Sequence, residues 1–174
     1  MNINCIIINL ERCSEKKGRI IERMKTFPEI KYEIFNAIDG QELNEEQMNN
    51  NQQYVLQKWR DPFHNRKITK GEIGCSLSHY EVYKKANTMD HDITLVLEDD
   101  ADFMNNFLED FKKALYELKD KEWDMCYLGR KKMNENEYEE YVKNCNNLLH
   151  PTYSYWCIGY LINKGFCKKV ISSN

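Results

Sequence analysis

The sequence predicts an α/β sandwich with a mainly parallel sheet, and three observations carry that expectation. Short runs of isoleucine, valine and leucine alternate with stretches of helical periodicity. The runs are nearly continuous in apolar residues, as strands buried on both faces are. At 174 residues, 41% of them hydrophobic, the chain is long enough to bury a substantial core as one domain, residues 1–174.

Residues 3–10, rich in isoleucine, form the first strand. Ser14 is placed to cap the next helix, in which Ile20, Ile21, Met24 and Phe27 keep helical spacing until Pro28 stops it. Residues 32–35 give a second strand, closing in the turn Ala37-Ile38-Asp39-Gly40. Asn44 opens a helix that is polar at first and apolar around Val55, Leu56 and Trp59, and Asp61-Pro62 ends it. Thr69 and Glu72 have capping-box spacing for a helix over 70–87. Residues 93–97 read as a buried strand. Residues 106–119 follow as a helix whose Phe107, Leu108, Phe111, Ala114, Leu115 and Leu118 make one apolar stripe. Residues 124–128 are a strand ended by Gly129, and 131–147 an exposed excursion with room for partial helix. Residues 155–162 form the last strand, and Asn163 is available to cap a closing helix. The sequence stops inside that helix, so the expectation is a domain lacking its C-terminal portion.

The net charge is −3 with no basic block, which gives nucleic-acid binding no electrostatic support. No segment reaches transmembrane length, and the N-terminus lacks the basic start of a signal peptide. The seven cysteines are odd in number, irregularly spaced and without a C-x-x-C pair, against both a disulfide framework and a zinc site. A cytoplasmic chain in a reducing compartment is the resulting expectation.

The most informative stretch is residues 93–103, where a buried strand runs into Glu98, Asp99, Asp100 and Asp102. Like charges packed this closely repel unless a cation neutralises them. The carboxyl end of a strand in an α/β sheet is also where ligands bind. A divalent-metal site handling a phosphorylated ligand follows from the two together, and a solvated acidic turn is the plainer alternative. Arg12, just beyond the first strand, can clamp phosphate or be a surface cation. Gly71 and Gly74 each cost about 1 kcal/mol of helix propensity, a loss offset by close packing or by backbone approach to a ligand. His79 has the pKa of a general base but fits a buried structural role equally well. Tyr153, Tyr155, Trp156 and Tyr160 suit a sugar site or ordinary core packing.

Taken in order, Ile8-Asn9-Leu10-Glu11-Arg12, Phe35-Asn36-Ala37-Ile38-Asp39-Gly40, Gly71-Glu72-Ile73-Gly74-Cys75-Ser76-Leu77-Ser78-His79 and Leu95-Val96-Leu97-Glu98-Asp99-Asp100 resemble glycosyltransferase family 25. This is the lipooligosaccharide-biosynthesis and procollagen galactosyltransferase family. Asp124-Met125-Cys126-Tyr127-Leu128-Gly129 and Gly159-Tyr160-Leu161-Ile162 fit as well, so the likeness spans nearly the whole chain. The resemblance implies a GT-A fold, a Rossmann-like sheet that binds a nucleotide sugar with Mn²⁺ or Mg²⁺. By the same resemblance Asp100 and Asp102 hold the metal. Glu98 and Asp99 face the ribose or metal-bound water, and Asn9, Arg12, Asp39, Gly40 and Ser78 line the donor pocket.

The implied reaction is inverting transfer of a sugar, galactose among the candidates, from a UDP-sugar to a glycan or to hydroxylysine of a collagen-like protein. Its base is not identified by the sequence. Two alternatives stand beside it. One is a catalytically impaired glycosyltransferase-like binding module. The other is a receiver-like Mg²⁺-binding signalling domain, in which the acidic pair follows the first strand rather than arriving mid-chain.

Overall fold

The computed structural model describes residues 3–44, 46 and 60–173. Among the described residues nine elements follow one another: β1 (Asn4–Asn9), α1 (Ser14–Met24), β2 (Lys31–Asn36), α2 (Lys70–Thr88), β3 (Ile93–Glu98), α3 (Phe107–Leu118), β4 (Met125–Lys132), β5 (Ser154–Asn163) and α4 (Lys164–Ser172). The helix expected between Asn44 and Asp61 falls almost entirely outside the described residues. Among the described residues no helix is long and apolar enough to cross a membrane.

The five strands form one sheet in the order β2-β1-β3-β5-β4. Alternation along each strand feeds two cores, one on each face. Cys5, Ile7, Leu95, Leu97 and Leu161 face α1 and α3, meeting Ile20, Met24, Phe111 and Leu115. Ile6, Ile8, Val96, Tyr160 and Ile162 face α2 and α4, meeting Val82, Ala86 and Cys167. The expected sandwich is therefore present.

The expectation of a mainly parallel sheet is corrected. β1 pairs in parallel with β2 and β3, whereas β5 is antiparallel to both β3 and β4. The physical reason lies in the connections. Parallel neighbours need a crossover, which α1 and α2 supply, but no helix joins β4 to β5. β5 therefore turns back and fills the place left between β3 and β4.

Four local expectations also change. Cys13, not Ser14, is the N-cap of α1, because Cys13 N–H closes a turn onto the Leu10 carbonyl and its own carbonyl accepts from Lys17. That helix ends at Met24 rather than Pro28, and Phe27 packs edge-on against Phe103 and Phe107 with ring centres 5.0 and 5.2 Å away. Gly129 does not end β4. The strand continues to Lys132 through register shifts on either side of that glycine. The 131–147 excursion contains no helix, and its Cys145 joins the core together with the adjacent Leu148. The capping box of Thr69 and Glu72 and the Asn163 cap both form as expected.

Candidate functional site

The strand order makes β1 a switch point. The chain leaves β1 on one side for β2 and returns on the other side to β3. The carboxyl ends of such strands diverge and leave a crevice. A cavity of about 210 Å³ lies there, walled by the ends of β1 and β3, the turn after β2 and the first half of α2.

Asn9, at the end of β1, is buried and ties the two central strands together. Its Nδ2 donates to Asp99 Oδ2 at 2.8 Å and to the Cys13 carbonyl at 3.3 Å. Arg12 reaches across the mouth to Asp39, a charge-assisted pair. Asp39 is held below the usual carboxylate range, first by Arg12 and then by the Gln41 N–H. Ser78 Oγ accepts from Ile38 N–H at 2.8 Å and donates to the Gly74 carbonyl at 2.7 Å, pinning the post-β2 turn onto α2.

Glycine is required at that seam. A Cβ on Gly74 would come within 2.5 Å of Gly40 N, and one on Gly40 within 1.8 Å of the Lys70 carbonyl. Close packing thus explains Gly74. A Cβ on Gly71 would meet nothing within 4 Å, and that residue lies on the cavity wall.

The acidic run divides. Asp99 and Asp100 line the cavity, and Lys16 Nζ sits 3.4 Å from Asp99 Oδ1 and 3.1 Å from Asp100 Oδ2. The two carboxylates therefore already converge on one cationic position, and the Lys16 pKa is raised, chiefly by Asp100. Their hard oxygens suit Mg²⁺ or Mn²⁺. Asp102 is not brought to this cavity: it is exposed and pairs with Arg23 at 3.3 Å. Sequence reasoning missed Lys16. A lysine in the first turn of the helix after β1, next to strand-end acids, is the signal that could have found it.

His79 is buried, with Nδ1 2.6 Å from Tyr160 Oη and Nε2 3.2 Å from Glu98 Oε1. Cys75, His79 and Glu98 each offer a ligand atom within 4.8 Å of the others. This trio fits a divalent cation less well than the aspartates do. Desolvation first, and Glu98 next, push the Cys75 thiol up to about 12, so it must lose a tightly held proton to bind metal. The same three residues line a second cavity of about 830 Å³, so they form the wall between the two.

The aromatic cluster separates by depth. Tyr160 is fully buried in the core, whereas Trp156 stays exposed at the larger cavity. Tyr155 Oη donates to Asp61 Oδ1 at 2.7 Å.

The family model "Glycosyltransferase family 25 (LPS biosynthesis protein)" matches residues 2–174. The chain is 37% identical to procollagen galactosyltransferase 2 of Homo sapiens, an alignment covering 97% of this chain and 27% of that protein. It is 34% identical to procollagen galactosyltransferase 1-A of Xenopus laevis, covering 96% of the chain and 28% of the relative. A glycosyltransferase 25 family member of Drosophila melanogaster is 36% identical over 96% of the chain and 27% of the relative. The chain thus spans about a quarter of the length of these curated relatives, and by the match along its whole length it belongs to glycosyltransferase family 25.

Proposed function

We propose that this chain carries the donor site of a metal-dependent glycosyltransferase of GT-A type, which moves a sugar, galactose by analogy with its relatives, from a UDP-sugar to a glycan or collagen-like acceptor. One observation carries the reading: Asp99 and Asp100 converge on a single cationic position at the switch-point crevice.

In this reading Asp100, with Asp99 beside it, holds Mn²⁺ or Mg²⁺. Asp102, on Arg23 outside the cavity, has no part in the site. The metal supplies charge neutralisation for the departing diphosphate. Asn9 fixes the Asp99 carboxylate through its 2.8 Å hydrogen bond. Arg12 offers a fork of donors that can exchange Asp39 for phosphate oxygens. Gly40 and Ser78 hold the turn that closes the pocket over the nucleoside. The acceptor hydroxyl approaches across the wall of Cys75, His79 and Glu98, attacking opposite the leaving group and inverting the anomeric centre. His79, engaged at both ring nitrogens, keeps that wall in place. Seven unpaired cysteines accord with a reducing, cytoplasmic setting.

The test is calorimetric titration with UDP, with and without Mn²⁺. Mn²⁺-dependent binding is expected, and Asp100→Ala should weaken it at least about tenfold, the effect of losing one charged ligand contact. A folded sample that does not bind UDP overturns the reading. Binding without hydrolysis or transfer from any UDP-sugar leaves the donor site standing and makes the chain a binding module.

A further inference from the structure

The nucleotide reading makes no use of the larger cavity, whose rim displays a residue that sheet packing does not require. Trp156 lies within β5 at φ 66°. This is left-handed backbone, which bulky side chains rarely adopt. Its side chain is 59% exposed, so burial does little to offset the strain. The distortion is built into the ribbon. Pairing passes from Gly129↔Gly159 to Lys131↔Tyr155, so residues 156–158 oppose Arg130 alone.

The surroundings hold this conformation. Next to it, Tyr155 is anchored on Asp61, whose Oδ1 also accepts the N–H groups of Phe63 at 2.9 Å and His64 at 2.7 Å. Lys131 Nζ lies 5.1 Å from the centre of the Trp156 ring. Strained backbone that is over-determined by its neighbours and presents an exposed side chain is a pattern that clusters at ligand sites.

We propose that the larger cavity binds a pyranose ring of a carbohydrate acceptor, stacked on Trp156. An exposed indole gives a flat apolar surface for the C–H face of a sugar, and the Lys131 ammonium beside it can donate to ring hydroxyls. The observations favour a neutral sugar over a cationic peptide side chain. Lys131 already occupies the cation position on this ring, and a second ammonium would meet like charge. The site lies on the acceptor side of the wall formed by Cys75, His79 and Glu98, and so rests on the glycosyl-transfer reading.

The experiment is saturation-transfer NMR on the full chain with methyl β-galactopyranoside, methyl β-glucopyranoside and, as the cationic probe, Nα-acetyl-lysine amide. Calorimetry with UDP and Mn²⁺ is run on the same samples. At least one glycoside is expected to receive saturation, and the lysine amide none. Trp156→Gly relieves the positive-φ strain, so it should keep the wild-type thermal midpoint while weakening glycoside binding about tenfold, the equivalent of one lost ring contact. Trp123→Phe, at a residue packed on the core of α1 and α3 and outside the larger cavity, should leave glycoside binding unchanged. Glycoside binding that survives Trp156→Gly overturns the proposal. So does the absence of glycoside binding, or binding of the lysine amide instead. If UDP fails to bind while glycosides bind through Trp156, the donor reading falls and this site stands.

Discussion

His79 shows how one side chain can hold a site without doing its chemistry. It joins a fully buried tyrosine hydroxyl to Glu98 at the cavity wall. His79→Ala removes both bonds and leaves the buried Tyr160 hydroxyl and the half-buried Glu98 carboxylate each short of a partner, a loss of about 2 kcal/mol. At this chain length the thermal midpoint should fall by roughly 4–8 °C, read by scanning calorimetry. The two glycines of α2 give a second, sharper comparison. Gly74→Ala drives a methyl into the Gly40 backbone, whereas Gly71→Ala meets nothing within 4 Å. Chemical denaturation should show Gly74→Ala losing about 1–3 kcal/mol. Gly71→Ala should instead gain about 0.5–1 kcal/mol, from the same chemical change three residues away. The sequence flagged both glycines but could not tell them apart. What distinguishes them is a contact with Gly40, and nothing local to α2 records it.

At the level of elements, signals confined to one segment were legible. The isoleucine run of β1, the Thr69–Glu72 box and the apolar stripe of α3 each contain their own evidence. β5 was legible as a strand but not in its place or direction, because those depend on which neighbours it pairs with after the rest has formed. The site followed the same division. Asp99, Asp100, Arg12 and Asp39 meet because strand ends converge, while Asp102 turns to Arg23, a partner chosen by tertiary structure.

The excursion between β4 and β5 carries a testable consequence. Glu139 accepts from Thr152 N and Oγ1, each at 2.8 Å, and pairs with Arg130. Its pKa falls from 4.5 to about 2, led by the Thr152 N–H, with burial opposing and Arg130 adding to the depression. A depressed carboxyl stabilises the fold fully above its unfolded pKa and loses that contribution as pH falls through the folded one. Protection from hydrogen exchange across 139–153, taken relative to the intrinsic rate at each pH, should therefore hold down to about pH 4.5 and fall towards about pH 2. Glu139→Gln should exchange faster already at neutral pH, at a cost of about 1–3 kcal/mol, and should lose most of the acid response.

For the molecule as a whole, stability comes from two cores pressed on one sheet rather than from covalent cross-links. All seven cysteines are free, and Cys5, Cys145 and Cys167 are buried among apolar neighbours. Adding reductant should leave the thermal midpoint unchanged within about 1 °C, because no loop is tied by a disulfide. A downward shift would show that a pair forms in solution. The two cavities draw on different parts of this assembly. One is walled by the ends of β1 and β3 and the turn after β2, the other by the β4–β5 ribbon and the loop around Asp61, and among the described residues only Cys75, His79 and Glu98 belong to both. Because that shared partition is so small, mutation or a transplanted ribbon can retailor one compartment and leave the opposite one as inherited.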